Sequence, residues 1–133
     1  MQICALKTFG YAYCNIQNLA LTYGGSAISS VALNPGQTIT VTMALSYYID
    51  DADTISNKPF CAAGNTLEIL NGTVPVDMTA VFLDPATLTA TYTIPVRYHS
   101  WAFDEVYTFR SKDSRNTAAV WRTKTLNVAH GAC

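Results

Sequence analysis

Three carboxylates, Asp50, Asp51 and Asp53, fall within four positions of the stretch SYYIDDADTISN and form the densest acidic cluster of the chain. With Thr54, Ser56 and Asn57 they offer oxygen ligands to a hard cation, and calcium takes about six to eight such oxygens. The glycine and distal glutamate of an EF-hand loop are missing, so the cluster is a calcium candidate of another form, or else a solvated loop. Carboxylates that hydrolyse glycosides stand roughly 5 to 9.5 Å apart across a cleft. Asp104-Glu105 and the Asp50 group supply the residue types, and nothing in their spacing brings them together. The histidines are His99 and His130. His99, Ser100 and Asp104 name the members of a hydrolytic triad, but no G-x-S-x-G elbow accompanies them. A loop whose Trp101 and Phe103 cover the end of a core accounts for the same residues.

The cysteines are Cys4, Cys14, Cys61 and Cys133. No C-x-x-C and no histidine at finger spacing occurs, which argues against structural zinc. An even number of widely spaced cysteines allows three full pairings and suggests disulfides formed in an oxidising compartment. Cys4 and Cys133 lie near the two ends, where a bond would pin loose ends or link neighbouring subunits. Asn71-Gly72-Thr73 is an N-x-T sequon, a candidate glycosylation site in a secreted protein.

Five of the eight lysines and arginines, Arg110, Lys112, Arg115, Arg122 and Lys124, lie in one stretch and interleave with Tyr107, Phe109 and Trp121. Cations among aromatics suit a single-stranded nucleic acid, but the net charge of −1 gives no bulk field to recruit one. A basic hairpin and an acidic loop on one molecule suit head-to-tail contact between copies, and a contact that does not close builds a filament. Charged residues make up 13% of the chain and hydrophobic residues 50%, which leaves a surface poor in charge. Either part of that surface is buried in an assembly, or the chain is a secreted domain whose surface is covered by Thr and Ser.

The elements that must position these residues are strands. In TITVTMALSYY, residues 38 to 48, Ile39, Val41, Met43, Leu45 and Tyr47 alternate with mostly hydroxylic or small partners, the period of a half-buried strand. Pro35-Gly36 before it suits the centre of a type II turn. NLALTY and LTATYTIPV repeat the alternation, and Pro95 marks a strand end. LEIL, MTAVFL, EVYTFR and AAVWRTKTLNV read as further strands, with SKDSRNT joining the last two. Asn71-Gly72 and Asp84-Pro85 are turn signals. About seven or eight short strands without an amphipathic helix predict one all-β domain, a sandwich or barrel. No apolar run is long enough for a membrane span, and the first residues lack the basic start of a signal peptide.

The order of x-Pro-Gly-x, a long alternating strand, V-Y-T-F-R, a polar turn and W-x-T-K-T-L-N-V resembles immunoglobulin-like β-sandwiches, above all those of prokaryotic, archaeal and phage surface proteins. The resemblance covers about Asn15 to Val128. It implies an Ig-like antiparallel sandwich over residues 15–133, with residues 1–14 as an extension or extra strand. The cysteine that antibody-type domains carry on their second strand is missing from TITVTMALSYY, so any disulfide belongs elsewhere. The function expected is that of a non-enzymatic extracellular or cell-surface structural protein, a homopolymer-forming subunit of a filament or tubule, with calcium as a candidate ligand. The alternative is a carbohydrate-binding or adhesion module that stacks a polysaccharide on Tyr47, Tyr48, Trp101 or Trp121.

Overall fold

The computed structural model describes residues 14–48 and 58–133. The two-residue periodicity of the sequence becomes two facing sheets. Strands β1 (Asn15–Tyr23), β2 (Ser26–Ala27), β3 (Ser30–Leu33) and β4 (Thr40–Tyr48) precede a short helix α1 (Lys58–Gly64). After it come β5 (Asn65–Asn71), β6 (Val74–Pro75), β7 (Thr89–Thr93), β8 (Phe103–Asp113) and β9 (Arg122–His130). One sheet has the order β2-β1-β4-β7 and the other β3-β9-β8-β5-β6. Nine strands are thus found among the described residues, two of them stubs of two residues.

Alternation decides what is buried. Leu19 and Leu21 of β1, Val41, Met43 and Leu45 of β4, and Ala90 of β7 face Ile69 of β5, Tyr107 and Phe109 of β8, and Leu126 and Val128 of β9. These side chains form one core between the sheets. The register of β1 against β4 slips between Ile16 and Asn18, so Gln17 and Asn18 both point outward before alternation resumes at Leu19. A bulge of this kind inserts one residue into one strand of an antiparallel pair. After β2 the chain leaves the first sheet, and β3 pairs in parallel with β9, Ser30 opposite Asn127 through Leu33 opposite His130. The other strand pairs are antiparallel.

Two turns follow their sequence signals. Gly36 has φ of 80° and the Gln37 amide donates to the Asn34 carbonyl at 3.0 Å, which closes the turn before β4. Gly72, with φ of 62°, turns β5 into β6. Strand β7 stops at Thr93, two residues before Pro95.

Four local expectations are corrected. MTAVFL is not a strand: Asp77 caps a 3-10 turn over Met78–Ala80 by accepting from the Thr79 amide. Helix α1 was not expected; it buries Cys61 and has no acidic residue in its first turn and no basic residue in its last. AAVWRTKTLNV becomes a strand only from Arg122, and SKDSRNT is split, since β8 continues to Asp113.

Candidate functional site

Alternation along β8 sends Glu105, Tyr107, Phe109, Ser111 and Asp113 toward the interior and Asp104, Val106, Thr108, Arg110 and Lys112 outward. Two interior carboxylates therefore need partners, and each sits at one end of the sandwich.

At the end where β1 begins, the Asp113 side chain is fully buried. Its carboxylate accepts from the Cys14 amide at 2.7 Å, from the Arg115 amide at 3.0 Å, and from Arg115 Nε and Nη2 at 2.9 and 2.6 Å. Burial pushes this carboxyl up, but the Arg115 guanidinium, the two amides and the Arg115 charge together hold it below its ordinary value. The same guanidinium lies 4.0 Å from the centre of the Phe60 ring and donates to the Phe60 carbonyl at 2.9 Å. Cys14 is bonded to Cys61 of α1. These contacts tie the start of β1, the helix and the end of β8 into one knot.

At the opposite end, Glu105 accepts from four side chains. Asn71 Nδ2 donates at 2.8 Å, the Tyr107 hydroxyl at 3.2 Å, His130 Nε2 at 2.7 Å, and Arg97 Nη2 lies at 3.1 Å. An ionised carboxylate only accepts, so His130 Nε2 carries the proton in this contact. Burial pushes the Glu105 carboxyl up, while the Asn71, Arg97 and His130 hydrogen bonds and the Arg97 charge hold it below its ordinary value. Burial and the neighbouring Glu105 charge push the Tyr107 phenol up. The His130 ring stacks on Phe103, which meets His99, which in turn meets the exposed Trp101, each centroid separation being 4.8 Å.

The sequence candidates within the described residues can now be placed. Asp50, Asp51 and Asp53 lie outside the described residues, and so does Cys4. Among the described residues no three His, Cys, Asp or Glu side chains converge as a metal site. Cys14 and Cys61 pair with each other, and Cys133 is exposed without a sulfur partner among the described residues. The Asn71 amide nitrogen, the atom a glycan would take, is donated to Glu105. His99 packs against aromatic rings, and the histidine that meets a carboxylate is His130.

The basic stretch does not form one patch. Arg110 and Lys112 point outward and hold the Trp121 ring, at 4.4 and 4.7 Å from its centroid, with Arg110 Nε donating to Glu68 at 2.9 Å. Arg115 belongs to the Asp113 knot. Arg122 turns the other way and donates to the Ile16 carbonyl at 2.8 Å, joining the two sheets. Lys124 is exposed and lines a hollow with Asn18 and Thr22 of β1. Of the aromatics, Tyr47 packs against the core, Trp121 lies under its two cations, and Trp101 is exposed.

The feature that the motifs did not signal is an open flank. Strand β7 ends the first sheet and the stub β6 ends the second. Between them runs a groove of about 620 Å³, within the range of roughly 300–1,000 Å³ found for ligand clefts. Its walls include Tyr92, Pro95, Tyr107, Val74 and Val76, with Asp77 on the rim. The Tyr92 ring packs 5.9 Å from Tyr107 and 6.2 Å from Phe109, so this flank opens onto the aromatic part of the core. The Leu88 carbonyl and the Ile94 amide bond toward β4, and the Thr89 carbonyl accepts from Asp84 on the other side. Backbone groups alternate along a strand, so those of Thr91 and Thr93 point away from β4, where no strand follows among the described residues.

No family model matches the sequence, and no curated protein matches it. Among solved structures, a chimeric titin Z1Z2 carrying an exogenous peptide from decorin gives a TM-score of 0.51 at 18% identity, covering 89% of this chain and 98% of that one. The titin M3 domain gives 0.48 at 11% identity, with coverage of 86% and 99%. The CooA pilin subunit from enterotoxigenic Escherichia coli gives 0.43 at 12% identity, with coverage of 88% and 99%. The titin Z1Z2 likeness agrees with the two-sheet topology: the fold is an immunoglobulin-like β-sandwich.

Proposed function

We propose that this domain is a non-enzymatic extracellular structural protein, a subunit that assembles with copies of itself into a surface filament or tubule. The observation that supports this reading is the edge formed by β7. Exposed strand edges invite pairing with another chain, and monomers blunt them with short strands, charge, proline or bulges. Two of the four edge strands among the described residues are blunted: β2 has two residues, and β6 has two of which one is Pro75. Strand β7, Thr89-Ala90-Thr91-Tyr92-Thr93, contains neither charge nor proline. An unblunted edge above an apolar groove suits a surface that is covered in the working state. The disulfide and the low charge fit an extracellular setting. In this reading calcium, held by the Asp50 loop, stabilises the contact.

Light scattering and electron microscopy of the purified protein, with and without millimolar calcium, test the proposal. Fibres or tubes are the expected result. A monomer at every concentration, in both conditions, overturns it, and a monomer that binds polysaccharide would favour the adhesion alternative.

A further inference from the structure

The assembly reading leaves open what covers β7, and the chain itself contains a segment of matching chemistry. Residues 1–13 hold Lys7 as their single charge. Within them Phe9, Tyr11 and Tyr13 alternate with Gly10 and Ala12, so an extended segment presents three aromatics on one face and small residues on the other. Lys7 falls on the aromatic face. The groove offers the complement: largely apolar walls with two tyrosines, the backbone edge at Thr91 and Thr93, and the exposed Asp77 carboxylate on its rim, while Arg97, which also lines it, is paired with Glu105.

Reach decides whose segment this is. Cys14 is buried and bonded at the start of β1. Ile16 pairs with Tyr47 of β4, whereas Tyr92, in the groove, pairs with Val41. From 41 to 47 is six residues, ~20 Å at ~3.3 Å per residue, and the lateral step from β1 past β4 to β7 adds ~10 Å at ~4.8 Å per strand. Phe9 stands five residues from Cys14 and reaches at most ~18 Å when fully extended. Tyr11 and Tyr13 reach less. The aromatic stripe of a chain falls short of that chain's own groove.

Resting on the assembly reading, we propose that Phe9–Tyr13 of one copy add a strand to the β7 edge of the next copy, seating Phe9, Tyr11 and Tyr13 in the groove between β7 and β6. An added strand gains affinity from main-chain hydrogen bonds and specificity from pockets for alternate side chains. The contact is heterologous, segment to groove, and so extends without limit unless the rotation closes a ring.

Two measurements test it in the full chain. The variant Phe9→Ser/Tyr11→Ser/Tyr13→Ser is followed by light scattering, with its melting curve as a check on the fold. At least a tenfold rise in the concentration needed for assembly, with an unchanged melt, is expected; assembly at the wild-type concentration overturns the inference and leaves the assembly reading standing. In the second, Ala12→Cys and Thr91→Cys, which both fall on the outward face of the extended sheet, are made in separate chains, mixed and mildly oxidised. A crosslinked heterodimer, enriched several-fold over either chain alone, is expected. Absence of enrichment, or a crosslink that forms within one chain carrying both substitutions, overturns the placement. A wild-type protein that never assembles overturns the assembly reading and this inference with it.

Discussion

Replacing Glu105 by Gln removes one charge at a point where four donors converge. Its side chain is 12% exposed and that of His130 is 2% exposed. A hydrogen bond to a charged group contributes ~1.5–3 kcal/mol. Glutamine keeps one acceptor oxygen, which serves Asn71 or His130 but not both, and its new amide points donors at the other. One such bond is therefore lost in full. Arg97 is 35% exposed, so its ion pair adds no more than ~1 kcal/mol. The expected cost is ~2–4 kcal/mol at neutral pH, read from urea unfolding of wild type and Glu105→Gln. The pH dependence fixes the origin of the loss. The Glu105 carboxyl is held below its ordinary value, so its contribution is fully present above the unfolded value of ~4.3 and is lost as pH falls through the folded value. The gap between the two proteins should narrow in acid. A loss under ~1 kcal/mol, or a gap that is the same at pH ~3 and pH ~7, would refute the view of Glu105 as an ionised hub.

Two further outcomes are expected. The Cys14–Cys61 bond closes a sequence separation of 47, for which the chain-entropy relation gives ~4 kcal/mol; Cys14→Ser/Cys61→Ser should lower the unfolding free energy accordingly, with a steeper denaturant slope because the opened loop exposes more surface in the unfolded chain, and a loss of less than ~1 kcal/mol would contradict this. Gly36→Ala and Gly25→Ala both place a Cβ at positive φ, 80° and 84°, where the left-handed backbone costs ~1–2 kcal/mol; the Tyr98 hydroxyl 2.8 Å from the Cβ at position 36 is the tip of an exposed side chain that swings clear, so thermal unfolding should show a similar drop in both, and no drop in either would contradict this.

Much of the fold was legible because it rests on local rules. The alternation of Val41, Met43 and Leu45 marks β4 without reference to any partner, and the Pro35-Gly36 and Asn71-Gly72 turns need the positive φ that glycine supplies. MTAVFL misled because apolar content was taken for a strand; Asp77 captures the Thr79 amide first, and Phe82 ends 70% exposed. Helix α1 gave no periodic signal because only Cys61 of its seven residues is buried. The Glu105 cluster was illegible for another reason. Asn71, Arg97 and His130 come from β5, the segment after β7, and β9, and only the strand register brings them to one carboxylate. The basic stretch was legible as residues but not as a surface, since alternation and the reach of Arg122 to Ile16 send its cations to different sides.

The disulfide also sets where tension would travel. If the N-terminal segment is the tether between copies, a pull enters each domain at Cys14 and crosses the sulfur bridge to Cys61. The residues between them, spanning a sequence separation of 47 with β1 to β4 among them, are left out of the load path. They amount to ~160 Å of chain at ~3.4 Å per residue that a stretched fibre could not pay out while the bridge stays oxidised. Reduction would turn a stiff link into an extensible one.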